Sequence, residues 1–322
     1  MAEETEAPGV TMTNLDEPLF DGAGATKRDL VDYLDGVADR IIPELTDRPL
    51  SVIRVHRGHE AFMQKNLPSY TPPWVPRVTF WAESSKRDVT YALCNDRRTL
   101  LWFANQRAVE YHPALVRISR PDRMTHLVLD IDPPHSDAFA DAVRAARVVR
   151  HALLDADLDA AVKTSGAKGL HLFVPIDSDV TMDSAAAATR AIAARAERLD
   201  PDTVTTAFVK EERAGKVFID STRVGGATVA AAYSPRVRPG VPVSFPVDWD
   251  QLDDISPGDF TVRTAARHLG GVDRWAGRMP APYRLSPELV AEGRSIPVAR
   301  VQAMHEGKRR ARRARADPST SA

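Results

Sequence analysis

The chain has 322 residues, 43% hydrophobic and 27% charged, with a formal net charge of −1. That balance excludes a disordered or fibrous chain, and the length is ample for a buried core. No apolar run approaches the roughly 20 residues needed to cross a bilayer, and the acidic start "MAEETEAPGV" is not a signal peptide. The lone Cys94 excludes an internal disulfide, so a cytoplasmic protein without a membrane partner is expected. Residues 308–315, "KRRARRAR", hold six of the 43 basic residues and leave 37 against 44 acidic ones. A mildly acidic body therefore carries a basic tail, and charge alone does not announce nucleic-acid binding.

Residues 1–14 are polar, acidic and unpatterned and read as disordered. "TKRDLVDYLDGVADRII" follows as a helix, capped by Thr26 with Asp29, its apolar face formed by Leu30, Leu34, Val37 and Ile41. Pro43 is expected to stop it before a strand in "RPLSVIRV". "KNLPSYTPPWVPR" is a proline-rich loop; "VTFWAE" and "DVTYALC" are strands joined by the turn "SSKR". "DRRTLLWFANQRAVEYHP" reads as one helix ending before Pro113. "HLVLDIDPPH", residues 126–135, begins as a strand. "SDAFADAVRAARVVRHALLDAD" is a helix with Ser136 as its cap and Phe139, Val143, Ala146, Val149 and Leu153 on one face. "AAVKT" and "LHLFVPI" form a hairpin around the glycine turn "SGAKG", and "DSAAAATRAIAARAERL" is a helix by propensity. "KVFIDST" and "GATVAAAYS" are strands, and "RVRPGVPVSFPV" is an extended segment punctuated by proline. No repeat or long linker is visible. The expected fold is one mixed α/β (α+β) domain over residues 15–300, with hairpins rather than strict βαβ alternation, and a fraying tail at 301–322.

The aspartate strand carries the chemistry. Side chains alternate along a strand, so Asp130 and Asp132 share one face while Leu127, Leu129 and Ile131 take the other. Two like charges side by side call for a cation or a cluster of donors. A third carboxylate, Asp220, ends the apolar run in "KVFIDS". Together the three suit a pair of hard divalent cations, which prefer oxygen ligands and, when paired, serve phosphoryl transfer; each alone is equally a turn-former. In "KTSGAKGLHLFV", Gly166 and Gly169 free backbone N–H groups, Ser165 offers a hydroxyl, and Lys168 and His171 offer charge or hydrogen bonds. That set suits a phosphate, though an ordinary hairpin has the same letters. Arg236 and Arg238 in "YSPRVRPG" are two apart, hence on one side of an extended chain, and guanidinium groups fork onto phosphate oxygens. A solvated edge strand is the plain alternative.

The ordered set "LDIDPP", "KTSGAKGLHLFVPI", "VFID" and "ATVAAAYSPRVRPGVPVSFPVDWD" resembles the polymerase domain of bacterial ligase D, a branch of the archaeo-eukaryotic primase superfamily. Weaker similarity extends upstream through "TKRDLVDYL", "RPLS", "FMQKNLP" and "NQRAVEYHP", so the resemblance covers about residues 15–290. It implies a primase-type core of mixed, mainly antiparallel sheets flanked by helices. By the same resemblance Asp130, Asp132 and Asp220 hold two divalent metals, manganese or magnesium, at a polymerase centre. Ser165, Lys168 and His171 then contact the incoming nucleotide, Arg236 and Arg238 meet its triphosphate, and His112 lines its pocket. Lys27 and Lys65, in the "TK" and "QKN" motifs, would meet a 5′-phosphate of gapped or broken DNA.

The implied activity is template-directed primer extension and gap filling in DNA repair, with ribonucleotides preferred. The implied partners are nucleoside triphosphates, broken DNA, a Ku-like end binder and a separate DNA ligase, since no K-x-D-G ligase motif is present; the implied location is the nucleoid. Two positions depart from the family pattern. "STRVGG" stands after the third aspartate, where an aromatic residue and an asparagine are expected, and Ala114 follows "EYHP" in place of tryptophan. Two other classes compete. A nucleotide-sugar transferase also uses a D-x-D pair, but Asp220 and the arginines count against it. A DNA-end-binding module with little or no turnover would keep the fold alone.

Overall fold

The structure, a computed structural model, describes residues 6–7, 9–56, 58–82, 86–224 and 228–298. It opens on a short hairpin of β1 (Glu6–Ala7) and β2 (Val10–Thr11). The disorder expected for residues 1–14 does not hold for this stretch, because Val10 and Met12 are buried in the core with Leu15 and Leu19. So few apolar residues make no visible pattern in an acidic segment. The basic tail lies outside the described residues.

Helix α1 (Lys27–Gly36) starts at the expected capping box, with Thr26 N donating to Asp29 Oδ2 at 2.7 Å and Asp29 N to Thr26 Oγ1 at 3.2 Å. The single helix expected here is broken at Val37, and α2 (Ala38–Leu45) runs through Pro43 rather than stopping at it. A proline there forfeits one backbone bond, while Ile41 and Leu45 stay fully buried on either side.

Strands β3 (Leu50–Arg54), β4 (Phe62–Gln64), β5 (Arg77–Ala82) and β6 (Arg87–Ala92) follow, then α3 (Arg97–Asn105), capped by Asp96. The helix expected to reach Pro113 ends instead at Gln106. Arg107 takes a φ of +61°, and "AVEYHP" becomes β7 (Ala108–Pro113), buried along its length and paired with β3. Once the helix has ended, Val109 and Tyr111 favour a pleated, packed strand. The first sheet is ordered β4-β3-β6-β5, with β7 also on β3.

The second sheet is built from β8 (His126–Asp132), β9 (Ala161–Thr164), β10 (Leu170–Pro175), β11 (Val204–Thr205), β12 (Val217–Asp220) and β13 (Pro246–Val247). Its order is β11-β12-β8-β10-β9-β13, antiparallel throughout except for β11 with β12. Helices α4 (Phe139–Leu154) and α5 (Met182–Leu199) pack on β8, where Leu127, Leu129 and Ile131 are fully buried. Ser136 is not the cap of α4, which follows Ala138 without a side-chain cap. The alanines of α5 let its backbone approach α7 (Pro287–Ser295), which follows the short α6 (Arg274–Arg278). A side chain on Gly293 would meet Ala187 O at 1.8 Å.

The strand expected in "GATVAAAYS" does not form. Its described residues are irregular, and residues 229–234 are buried between the strand β7 and the segment around Ser244. Ala231 N donates to Tyr111 O at 2.9 Å and Tyr111 N to Ser234 Oγ at 2.9 Å, whereas Tyr233 N turns to Ser244 O at 2.8 Å. Backbone groups shared between two partners cannot build one regular ladder.

Candidate active site

Residues paired across neighbouring strands stand side by side on one face. Asp220 is paired with Asp130, Asp130 with His171, and His171 with Lys163. These four therefore form one row across β12, β8, β10 and β9. Asp132 lies two residues along the same face of β8, opposite Phe218. The three carboxylates singled out from the sequence are thus brought together, Asp220 directly beside Asp130.

Each carboxylate has a cation. Arg223 places Nη2 at 2.8 Å from Asp130 Oδ2, and its Nε is 3.1 Å from both Asp130 Oδ2 and Asp220 Oδ2. Lys168 Nζ is 3.0 Å from Asp132 Oδ1, and Arg213 Nη1 is 3.7 Å from its Oδ2. Thr222 donates its N–H and hydroxyl to Asp220 Oδ1 at 2.8 and 2.6 Å. Burial pushes the Asp130 carboxyl up to about 6 against the pull of Arg223, and repulsion from Asp220 and Asp132 adds to the rise. Among the described residues no three His, Cys, Asp or Glu side chains already converge as a metal cage. The donor chemistry nevertheless fits hard divalent ions: three carboxylates share a face, and that face already draws in positive charge.

His171 sits beside Asp130, its Nε2 at 3.5 Å from Asp130 Oδ1. Its Nδ1 is 2.6 Å from Lys163 Nζ, which also donates to Ser244 Oγ at 2.5 Å. Burial, then the neighbouring Lys163, holds the imidazole well below its ordinary value, so it is neutral near pH 7. The Nε2 edge of the ring faces the carboxylate. Burial likewise holds the Lys163 amine well below its usual range.

Ser165 closes the glycine turn rather than facing outward. Its hydroxyl accepts from Ala167 N at 3.2 Å and Gly169 N at 3.1 Å, and its carbonyl accepts from Arg236 Nη1. Gly166, at φ +67°, leaves room for Arg236, and a side chain at Gly169 would meet Ile131 O at 1.9 Å. A backbone oxygen held in the sheet cannot yield, so Gly169→Ala is expected to cost about 3 kcal/mol. Urea unfolding of the two proteins measures it.

A second buried cluster adjoins the row. Glu110 on β7 accepts from His112 Nε2 at 2.8 Å and from Val237 N at 2.9 Å, and pairs with Arg236 Nε at 2.9 Å. Burial pushes the Glu110 carboxyl up, but the His112 bond, Arg236 and the Val237 N–H together bring it down to about 2. His112 Nδ1 is buried without a partner. Arg236 is therefore joined to the hairpin turn, but Arg238 is not beside it. The chain turns between them, Arg238 N donating to Arg236 O at 2.9 Å, and Arg238 is exposed.

The two lysines assigned to a DNA phosphate lie elsewhere and differ. Lys65 is exposed just beyond β4. Lys27 is only 2% exposed, its Nζ bonded to Thr13 O at 2.5 Å and Asn105 Oδ1 at 2.6 Å, and burial with Arg107 pulls it down to about 8. In this structure it holds the N-terminal segment against α3 and is not offered to a phosphate.

Lys163, Glu110, Arg213 and Arg223 were not singled out from the sequence. A lysine inside the apolar "AAVKT" was the available signal for Lys163, and the departure "STRVGG" for Arg223. Glu110 gives no such signal, because its segment has the letters of a helix.

A family model described as LigD, primase-polymerase domain matches residues 26–275. The multifunctional non-homologous end joining DNA repair protein LigD of Mycobacterium tuberculosis (strain ATCC 25618 / H37Rv) is 37% identical over 256 residues, 76% of this chain and 34% of that protein. The bifunctional non-homologous end joining protein LigD of Bacillus subtilis (strain 168) is 32% identical over 262 residues, 80% of this chain and 42% of that protein. The chain thus spans between a third and a half of the length of these curated relatives. The solved polymerase domain from Mycobacterium tuberculosis ligase D in complex with DNA superposes with a TM-score of 0.75 at 34% identity, covering 84% of this chain and 99% of that one. The mixed, mainly antiparallel α/β core expected from the sequence is that fold, and the chain belongs to the LigD primase-polymerase domain family.

Proposed function

We propose that this chain is a template-directed, metal-dependent nucleotidyltransferase that extends primers and fills short gaps during the joining of broken DNA, with ribonucleotides preferred. The observation that carries the reading is the register of β12 on β8, which sets Asp220 beside Asp130 on the face shared with Asp132. Membership of a primase-polymerase family supports it. Two divalent ions, manganese or magnesium, held by Asp130, Asp132 and Asp220 would supply Lewis-acid activation of a primer 3′-hydroxyl and charge neutralisation at the α-phosphate. His171 stands against Asp130 in the same row and would help to position that carboxylate. Lys168, within the glycine turn, and Arg236, bonded to its Ser165 carbonyl, are the cations offered to a triphosphate, and the unpartnered His112 Nδ1 would face the nucleotide. The proposed partners are gapped or broken DNA, nucleoside triphosphates, a Ku-like end binder and a DNA ligase. No helix among the described residues is long and apolar enough to cross a membrane.

Primer extension on a gapped duplex tests the reading with each of the four template bases in turn. The expected result is incorporation that follows the template, requires manganese or magnesium, and is faster with ribonucleotides. A second reading, a DNA-end or gap-binding module with little turnover, is favoured by one observation: Arg223 already neutralises Asp130 and Asp220. DNA binding with no incorporation under any metal would select it.

Lys65 is proposed as the 5′-phosphate contact. A hydrogen bond to a charged group is worth about 1.5–3 kcal/mol, so Lys65→Ala is expected to lower the preference for a 5′-phosphorylated gap roughly tenfold or more. Single-strand binding should change little. Equal losses on both substrates would remove Lys65 from that role.

A further inference from the structure

The segment after the third aspartate, "STRV", puts a guanidinium where the sheet brings two carboxylates face to face. Arg223 Nε is shared at 3.1 Å between Asp130 Oδ2 and Asp220 Oδ2, with Nη2 closing on Asp130 at 2.8 Å. The opposite oxygen of Asp220 is taken by Thr222, so Oδ2, where Arg223 sits, is the oxygen Asp220 has left to offer. The Arg223 side chain is 37% exposed, against 15% for Asp130 and 10% for Asp220. The arginine therefore reaches the buried carboxylates from the more exposed side. Val224, fully buried next to it, pins the backbone from which it swings.

A divalent ion and a guanidinium that face the same carboxylate oxygens compete for them, because both draw on the same lone pairs and the two cations repel each other. We propose that Arg223 is a resident counter-ion that competes with metal for Asp130 and Asp220, so that metal enters only as Arg223 swings out. The inference rests on the metal-site reading of the previous subsection. Two consequences follow. The free protein binds metal more weakly than its carboxylates alone would, by the fraction of time the seat is clear. A nucleoside triphosphate, which offers Arg223 a richer set of anionic oxygens, draws the arginine off the aspartates and tightens metal binding. Metal then tightens nucleotide binding by the same factor. Arg223 is a positioning residue in this scheme and takes no part in bond making.

The test is manganese titration of the whole chain without DNA, read by the electron paramagnetic resonance of free Mn²⁺. Arg223→Gln is expected to bind Mn²⁺ at least tenfold more tightly than the unaltered protein. When an equal concentration of a non-hydrolysable nucleoside triphosphate is added to both, the gap should close. Arg223→Lys, which keeps a charge but cannot fork, should fall between, and it guards against a glutamine variant that fails to fold. Asp130→Asn should lose the tight site in every background. Unchanged or weaker Mn²⁺ affinity in both Arg223 variants, with loss in Asp130→Asn, would overturn the competition and leave the metal site standing. Full Mn²⁺ binding in Asp130→Asn would overturn the metal site itself.

Discussion

Asp130→Asn and Asp220→Asn are each expected to lower primer extension about a thousandfold or more while leaving the fold intact. The magnitude follows from the several kcal/mol of charge stabilisation that a paired-metal site gives a phosphoryl-transfer transition state, since about 4 kcal/mol is a thousandfold in rate. The fold should survive because each change removes one of two like charges that the sheet holds side by side. In Asp130→Asn, Arg223 keeps Asp220 as its partner, and Thr222 still caps that carboxylate. Circular dichroism and a thermal melt check folding, and single-turnover extension on gapped DNA checks rate. Extension within tenfold of the unaltered protein would mean that the row of aspartates does not carry the reaction.

The second large effect is on stability. Glu110→Gln is expected to destabilise the protein by about 3–5 kcal/mol at pH 7, because breaking a buried pair from one side leaves the Arg236 charge uncompensated. Glu110 is the partner of both His112 and Arg236, and Val237 N also depends on it. The sign of the pH dependence is fixed by its carboxyl lying at about 2 in the folded protein, below the ordinary value of 4.5. A carboxylate with a depressed value gives its full contribution above the unfolded value and loses it as pH falls toward the folded one. The gap in urea midpoint between the two proteins should therefore be widest above about pH 5 and narrow steadily between pH 4.5 and about 2. A gap that stays constant over that window would show that Glu110 is not stabilised as a carboxylate. Because Arg236 also reaches the Ser165 carbonyl, the same substitution should loosen the glycine turn.

The parts of the fold that the sequence made legible are those where a local signal matches its tertiary use. Alternation in "HLVLDID", the glycine turn between β9 and β10, and the Thr26–Asp29 cap each reappear in place. The misreadings share a cause, which is tertiary context acting on a locally ambiguous segment. "AVEYHP" continues a helical stretch without a glycine or proline stop, and only the left-handed turn at Arg107 and pairing with β3 make it a strand. "ATVAAAYS" has strand letters, but its backbone partners are divided between Tyr111 and Ser244. The N-terminal segment orders because Val10 and Met12 find a core and Lys27 anchors Thr13.

At the candidate site, the identities of the carboxylates were legible because a charge in an apolar strand is unusual. Their surroundings were not. Which residue neutralises Asp130 depends on the path of the chain after Asp220, and the burial of Lys163 behind His171 depends on how β9 and β13 close over it. Spacing along the chain fixes neither. The exposure of Arg238 shows the converse: two arginines at strand spacing share a face only if the chain stays extended between them, and here it turns.

One face of the second sheet gathers Asp130, Asp132 and Asp220, and we propose them as the ligands of the metal ions that serve nucleotide transfer. A crystal structure with manganese and a non-hydrolysable nucleoside triphosphate, phased at the manganese absorption edge, tests it most directly. The expected result is anomalous density between the three carboxylates with the triphosphate against it and Arg223 moved off Asp130. Manganese bound elsewhere, or a nucleotide seated away from this face with Arg223 still on both aspartates, would contradict it.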